Sequence, residues 1–121
     1  MTAKVLIVES DPWLGDHYQK TLERQDFSVV RASNAYSAMD AVDDVLPDVI
    51  IMSLSLSGGS SLALLHELQT YVDTGKIPVI VCGNQPRLSL DELQPYGVRR
   101  IVDSTTMLPD DLSAAVRSVL A

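Results

Sequence analysis

Residues 47–61 read PDVIIMSLSLSGGSS, and this stretch decides the fold of the chain. Its apolar run at residues 49–52 is short and rich in β-branched side chains, which is typical of a strand buried on both faces of a parallel sheet. The run ends at Ser53, and a loop of Gly and Ser then leads into a helix. Because ligands bind at the carboxyl ends of the strands in open α/β sheets, we expect the functional site near Ser53.

The remaining elements follow from similar apolar runs and from the helical spacing between them. Strands are predicted at residues 5–8, 29–30, 49–52, 79–82 and 101–102. Helices are predicted after Asp11, after Asn34, after residue 60 or 61, at about residues 89–94, and from Pro109. This alternation of strand and helix, repeated five times, indicates one doubly wound α/β domain that spans residues 1–121.

Two of these helices carry specific expectations about length and burial. The third is expected to end at Gly75 and to bury one apolar stripe, formed by Leu62, Leu65, Leu68 or Gln69, and Val72. The fourth lies between Pro86 and Pro95, which leaves room for a single short helix anchored by Leu90 and Leu93.

The bulk composition narrows the classes of function. A net charge of −7 argues against nucleic-acid binding, because such binding needs cations that neutralise phosphates. The single cysteine, Cys82, excludes an intramolecular disulfide, suits a reducing cytosol and lies in an apolar run that predicts a core position. The four apolar residues near the start are expected to form a strand and not a signal peptide, and no apolar run has the length of a membrane span. We therefore expect a soluble cytoplasmic protein.

The whole chain resembles the receiver domain of bacterial two-component response regulators, the CheY-like superfamily. The resemblance rests on the strand–helix alternation, on Pro47 and Asp48 before the third strand, on Pro78 at the fourth, and on Gly97 before the fifth. It implies a flavodoxin-like fold with strand order 2-1-3-4-5. It also implies a phosphoryl-transfer site made of a metal-binding acid pair, an acceptor aspartate, a hydroxyl, an aromatic residue and a Lys-Pro pair.

The acceptor and metal positions of that site are altered in this chain. In the family the aspartate that accepts phosphate lies six places after such a proline, and Ser53 stands there. An acyl phosphate forms only on a carboxylate, and Mg²⁺ needs oxygen ligands that balance its charge. The acid pair reads Glu9 and Ser10, and Asp11 follows one place late, where it can cap the helix.

The positions that sense the phosphate in the family are altered as well. Gly83 takes the place of the hydroxyl, Ile101 that of the aromatic residue, and Ser104 and Thr105 those of the lysine and the cis-proline. Of the family's functional positions, only Glu9 is retained in kind. We therefore interpret the chain as a degenerate pseudo-receiver, whose vestigial pocket is expected to contain Glu9, Ser10, Asp11, Ser55, Gly83 and Ser104.

The leading hypothesis is a stand-alone, non-enzymatic module that binds another signalling protein in bacterial signal transduction without phosphorylation. No cofactor, nucleic acid or membrane is expected. Its partner surface is expected to include Trp13, Arg99, Arg100, Asp110 and Asp111. The two arginines are either solvated or paired with the two aspartates in a homodimer formed through the fourth helix, fifth strand and fifth helix. Trp13 either packs at the edge or anchors a partner.

The rival hypothesis is a residual phosphorelay regulator with a non-standard phosphoacceptor or metal site. Glu9 and Asp11 would then hold a weakly bound Mg²⁺, and Asp11 is the only nearby acid able to accept phosphate. Modification of Ser53 by a kinase would mimic an aspartyl phosphate, although a strand-end serine in a shallow pocket is a poor kinase substrate. The Gly/Ser loop could cradle a phosphate, but it lacks the lysine of a P-loop and is typical of an ordinary turn.

Overall fold

A computed structural model describes residues 2–53, 61–83, 89–104 and 108–120. Its core is a five-stranded, all-parallel sheet in the order β2-β1-β3-β4-β5, which confirms the predicted fold. The strands are β1 Lys4–Val8, β2 Ser28–Ala32, β3 Val49–Ser53, β4 Val79–Gly83 and β5 Val98–Asp103. The helices are α1 Pro12–Glu23, α2 Ala35–Val45, α3 Ser61–Thr70, α4 Val72–Gly75, α5 Leu90–Leu93 and α6 Pro109–Leu120.

Side chains that alternate along the strands form two hydrophobic cores, one on each face of the sheet. In β1, Val5 and Ile7 contribute to the core that contains the buried residues of α1 and α6. Leu6 and Val8 point to the opposite core, which contains buried residues of α2, α3 and α5. Cys82 is buried in the first of these cores, as its apolar run predicts.

The helices begin where their capping residues predict. The Asp11 carboxylate accepts hydrogen bonds from the backbone N–H groups of Trp13 (3.0 Å) and Leu14 (3.4 Å), and Pro12 is the first residue of α1. Asn34 and Ser37 form a reciprocal capping box at the start of α2. Among the described residues, no helix combines the length and the apolar character that a bilayer span requires.

The prediction for the third helix is wrong about where the helix ends and about which of its residues are buried. Tyr71 has an extended backbone (φ −107°, ψ 138°) and separates α3 from the short α4. The Thr74 hydroxyl donates to the Leu68 carbonyl and turns the chain, so Val72 is 77% exposed rather than buried. Leu62 is also largely exposed, whereas Leu65 and Leu68 lie in the core.

The fourth predicted helix is confirmed as a short element. Ser89 caps it, accepting a hydrogen bond from the Glu92 N–H, and Leu93 is buried. A single 3₁₀ turn, Gln94–Tyr96, follows α5 and accommodates Pro95. The predicted fourth and fifth helices are therefore α5 and α6.

We predict that Gly97→Ala lowers the free energy of unfolding by about 1–2 kcal/mol. Gly97 has φ of +87°, and an added Cβ would lie 2.7 Å from the Gln69 side-chain nitrogen, which donates to the Tyr96 carbonyl. Chemical denaturation measures the change. The control is Gly75→Ala, where the nearest atom to the new Cβ is 3.6 Å away. Equal losses from the two variants would contradict the prediction.

Candidate functional site

The carboxyl ends of β1 and β3 bring Glu9 and Ser53 together. These strands are neighbours, and Val8 is paired with Met52, so the next residue of each strand lies side by side. Glu9 is only 5% exposed, and the interaction of its carboxylate with the Ser53 side chain lowers its pKa, as the smallest of five influences. The residue at the acceptor position therefore lies beside the one retained acid of the pocket.

Glu9 has further hydrogen bonds within its own turn. Its carboxylate accepts from the backbone N–H of Asp11, at 3.3 Å, and from that of Ser10. Burial nevertheless raises the pKa of the Glu9 carboxyl above its usual value, and the negative charge of Asp11 adds to the rise. The three hydrogen bonds oppose this effect without cancelling it, so the local environment does not fully stabilise the charged form.

Tyr18 and Cys82 lie next to this carboxylate on the inner side of the pocket. The Tyr18 hydroxyl is completely buried near the Cys82 thiol, but its geometry gives no hydrogen bond to any described residue. Burial, together with the charge of Glu9, raises the pKa of the Cys82 thiol to about 12. Cys82 therefore remains a neutral thiol at physiological pH, and its burial makes it a poor nucleophile.

The other predicted pocket residues have mostly local roles. Ser10 donates its hydroxyl to the Ser33 carbonyl at 2.8 Å, and Asp11 caps α1. Gly83 ends β4, and its carbonyl accepts from the Ser104 N–H at 3.1 Å. The structure therefore places Ser10, Asp11, Gly83 and Ser104 at the predicted edge of the sheet. Ser55 and Thr105 lie outside the described residues.

Among residues 2–53, 61–83, 89–104 and 108–120, the oxygen donors do not form a typical Mg²⁺ site. Mg²⁺ requires near-octahedral oxygen coordination, usually with one or two carboxylates that are free to bind it. The Glu9 carboxylate is occupied by three hydrogen bonds, and one Asp11 oxygen is occupied by two. In the part of the chain that the structure describes, no group of three or more His, Cys, Asp or Glu residues is arranged to hold a metal ion.

The predicted partner-surface residues are exposed, but they do not form one cluster. Trp13 is 74% exposed and stacks on His17, with ring centroids 6.2 Å apart. The Arg100 side chain donates to Ser118 near the end of α6, whereas Asp110 and Asp111 lie in its first turn. At about 1.5 Å per residue the two ends are about 12 Å apart. Arg100 therefore lies toward the opposite end of α6 from Asp110 and Asp111.

The sequence does not predict the contact between Ser53 and Glu9, nor the burial of the Tyr18 hydroxyl without a hydrogen bond to any described residue. Both depend on the register between elements that are distant in sequence. The pattern of apolar residues placed Tyr18 correctly on the buried face of α1. Such a pattern does not show which groups surround the Tyr18 hydroxyl. The alternation of side chains in β1 and β3 was the available indication that Glu9 and Ser53 face the same side.

Comparison with known proteins assigns this fold and site to a family. The family model described as "Response regulator receiver domain" matches residues 5–95. The chain belongs to this family of receiver modules in bacterial two-component signalling, which interact with other signalling proteins. The recognition of a receiver domain is therefore confirmed.

Characterised relatives share part of the chain. The phosphate regulon transcriptional regulatory protein PhoB of Klebsiella pneumoniae is 30% identical over 81 residues, which are 67% of this chain and 35% of that protein. PhoB of Escherichia coli is 28% identical over 81 residues, which are again 67% of this chain and 35% of that protein. The alignment thus covers about a third of these relatives' length.

Solved structures resemble nearly the whole chain. The chemotaxis response regulator CheY4 of Vibrio cholerae gives a TM-score of 0.88 at 18% identity, covering 99% of this chain and 100% of that one. A second similar structure is the receiver domain of the sensor histidine kinase PA1611 of Pseudomonas aeruginosa, solved with magnesium in its active-site cleft. Its TM-score is 0.87 at 14% identity, and the match covers 99% of this chain and 98% of that one. At these identities the likeness shows the fold alone.

We predict that Glu9→Gln becomes progressively more favourable, relative to the unsubstituted protein, as the pH rises from about 4 to about 7. The pKa of Glu9 is raised by folding, so the folded state binds more protons than the unfolded chain between the two pKa values. The energetic penalty of Glu9 is absent below the unfolded pKa and complete above the folded pKa. It amounts to about 1.4 kcal/mol for each unit of difference.

Denaturant titrations of both proteins across this pH range measure the difference in free energy of unfolding. Glu67→Gln, at an exposed position of α3, is the matched control and should show no comparable trend. A stability difference that stays constant or reverses with pH for Glu9→Gln would contradict the prediction.

Proposed function

We propose that this receiver domain is a pseudo-receiver, a non-enzymatic module that binds a signalling partner constitutively and without phosphorylation. The observation that supports the proposal is the serine at position 53, which ends β3 beside the buried Glu9 at the end of the neighbouring β1. A hydroxyl at the acceptor position cannot form an acyl phosphate. It also adds no second negative charge beside the buried Glu9, whereas an aspartate at that position would.

The residues at the sensing positions support a single conformation. Gly83 has no side chain that could move toward a phosphoryl group at the strand ends. Ile101 is half-buried and packs against the core shared with α2 and α3. A ligand shifts a protein between two states only when it interacts differently with each of them. Without a mobile hydroxyl and an aromatic switch, a ligand at the strand ends has no alternative packing to select.

A cytoplasmic location, the lack of a cofactor and a homodimer through α5, β5 and α6 are further parts of this proposal. The single buried Cys82 suits a reducing compartment. In a two-fold dimer, Arg100 of one copy would approach the first turn of α6 of the other. The separation of the two ends of α6 within one chain is compatible with such an antiparallel pairing.

The alternative proposal is a phosphorelay regulator that uses a non-standard acceptor or metal site. It is supported by the resemblance to PhoB over two thirds of the chain and by the fold shared with a receiver that binds magnesium. Asp11 would be the acceptor. The Asp11 oxygen Oδ1 caps α1 by accepting from the Trp13 and Leu14 N–H groups, so phosphorylation would have to use the other oxygen to leave this cap in place.

We predict that acetyl phosphate with Mg²⁺ leaves the intact mass unchanged. Neither an acceptor carboxylate at position 53 nor a lysine at position 104 is present. Ser53→Asp restores only the acceptor and should also remain unmodified, since it places a second carboxylate beside Glu9 without supplying the lysine. Gain of one phosphoryl group, labile to hydroxylamine, by the unsubstituted protein would overturn the pseudo-receiver and favour the alternative.

We also predict that millimolar Mg²⁺ causes no saturable change in Trp13 fluorescence. Trp13 is the only tryptophan and lies two residues from Asp11, so it reports on any ion held there. Mg²⁺ would have to displace the hydrogen bonds of Glu9 and Asp11. A saturable titration that Glu9→Gln abolishes would show that the pocket binds the cation after all.

A further inference from the structure

Three large apolar residues are exposed at the amino edge of the sheet, opposite the pocket. Helices run back against the strands of a parallel sheet and therefore end at this edge. Leu46 follows α2 and is 58% exposed, while Tyr71 and Val72 follow α3 and are 53% and 77% exposed. The two segments lead into the paired strands β3 and β4, where the Ile50 N–H donates to the Pro78 carbonyl at 3.0 Å, so they adjoin each other. Leu46, Tyr71 and Val72 are called the amino-edge patch.

The end of α2 does not require a leucine at position 46. The backbone of Leu46 is left-handed (φ 48°), a conformation that crowds the Cβ, and this position after a helix favours Gly or Asn. Its N–H donates to the Val42 carbonyl at 2.9 Å, a bond that glycine would form equally well. The leucine side chain thus strains the backbone and leaves apolar surface in water. Residues kept under such strain are typical of functional positions.

The break between α3 and α4 exposes the other two residues of the patch. Tyr71 has an extended backbone, and its side chain makes no capping hydrogen bond to α4. The buried Thr74 holds this turn, because its hydroxyl donates to the Leu68 carbonyl. The turn therefore needs neither an exposed tyrosine nor an exposed valine. Exposed apolar side chains that cluster without a packing role are typical of interaction sites.

Carboxylates surround the amino-edge patch. The structure describes every residue of segments 43–48 and 70–76, whose exposed charged residues are Asp43, Asp44, Asp48, Asp73 and one cation, Lys76. Asp43 and Asp44 lie in the last turn of α2, where the helix dipole favours Lys or Arg, so they oppose the stability of their own helix. Unfavourable charge and unfavourable apolar exposure therefore occur at the same place.

We propose that the amino-edge patch binds a segment of a signalling partner in which apolar residues are flanked by Lys or Arg. The inference rests on the proposed function as a binding module, and it names the surface and the chemistry of its partner. The apolar side chains of the segment cover the patch, and its cations face Asp43, Asp44 and Asp73. The five residues of β3 separate this surface from the pocket by about 17 Å, so binding here needs nothing at the acceptor position.

Charge separates this partner from other occupants of an apolar surface. A second copy would bring the same acidic surface against this one, and facing like charges oppose association. Anionic lipid surfaces and nucleic acids are disfavoured by the same carboxylates. A basic segment with apolar residues gains both from burial of the patch and from attraction to the aspartates.

The probe is a synthetic peptide of Leu and Lys, about 14 residues and so about 21 Å long as a helix, and a Leu/Glu peptide of equal length is its control. Two-dimensional NMR spectra of the isotope-labelled full chain follow the titration. The Leu/Lys peptide should shift the amide signals of residues 43–48 and 70–76 saturably, and added salt should weaken the effect. The Leu/Glu peptide should cause no shift. Absence of saturable shifts, or shifts centred on other residues, would overturn the proposal.

Leu46→Gly separates binding from folding. Glycine relieves the left-handed strain, so the variant should unfold at the same or a higher urea concentration and yet bind the Leu/Lys peptide about fivefold more weakly. Leu62→Ala is the control, because Leu62 is an exposed leucine at the opposite edge, and it should not change the affinity. A lower urea midpoint for Leu46→Gly would show that the leucine serves stability, and this result or an unchanged affinity would contradict the proposal.

Asp43→Asn with Asp44→Asn tests the charge in the same way. Loss of two carboxylates from the end of α2 removes their repulsion by the helix dipole, so stability should be retained or raised while the affinity falls several-fold. Asp110→Asn with Asp111→Asn makes the same change in net charge at the start of α6, at the other edge, and should leave the affinity nearly unchanged. Equal losses from the two pairs would indicate general attraction to an acidic protein and would refute a specific patch.

The outcomes distinguish this inference from the proposed function. Peptide binding is measured without phosphate, whereas the pseudo-receiver fails only if acetyl phosphate modifies the chain. An unmodified chain that does not bind the Leu/Lys peptide removes the patch proposal alone. A modified chain that still binds the peptide at the amino-edge patch removes the pseudo-receiver and retains the surface.

Discussion

The burial of the Glu9 carboxylate is the constraint on which the pocket depends. An ionised carboxylate with 5% exposure is strongly destabilising unless hydrogen bonds or a cation compensate for its lost hydration. Here the N–H groups of Asp11 and Ser10 and, to the smallest extent, the Ser53 hydroxyl compensate only in part, because burial still raises the pKa of Glu9. An aspartate at position 53 would instead place two carboxylates side by side, which raises the energetic cost of the charged forms unless a cation lies between them. A serine at position 53 avoids that repulsion.

The same turn that satisfies Glu9 also starts α1, and this ties the pocket to the packing of the helix. Asp11 donates its N–H to Glu9 and uses its carboxylate to cap α1. Two turns further, Tyr18 packs in the same core as Cys82. Because Asp11 both binds Glu9 and caps α1, we expect a change at the Glu9 carboxylate to disturb the cap.

The sequence predicts the fold well because its strands are apolar on both faces and its helices start at recognisable caps. The order of the strands came from the family resemblance, and the alternation alone leaves it open. The end of the third helix could not be predicted, because it is set by the contact between Thr74 and Leu68. Leu62 and Val72 satisfy a helical pattern and are nevertheless exposed, since tertiary packing, and not periodicity, decides burial.

The candidate site was predictable in position and much less so in its contacts. Ser53 is found by counting six residues from Pro47, and Glu9 is found because it follows β1 directly. Both positions could be predicted because the apolar runs show where the strands end. Their hydrogen bond requires the register of β1 against β3, which no local pattern specifies. Asp11 was predicted as a cap because that role involves only residues two and three places away.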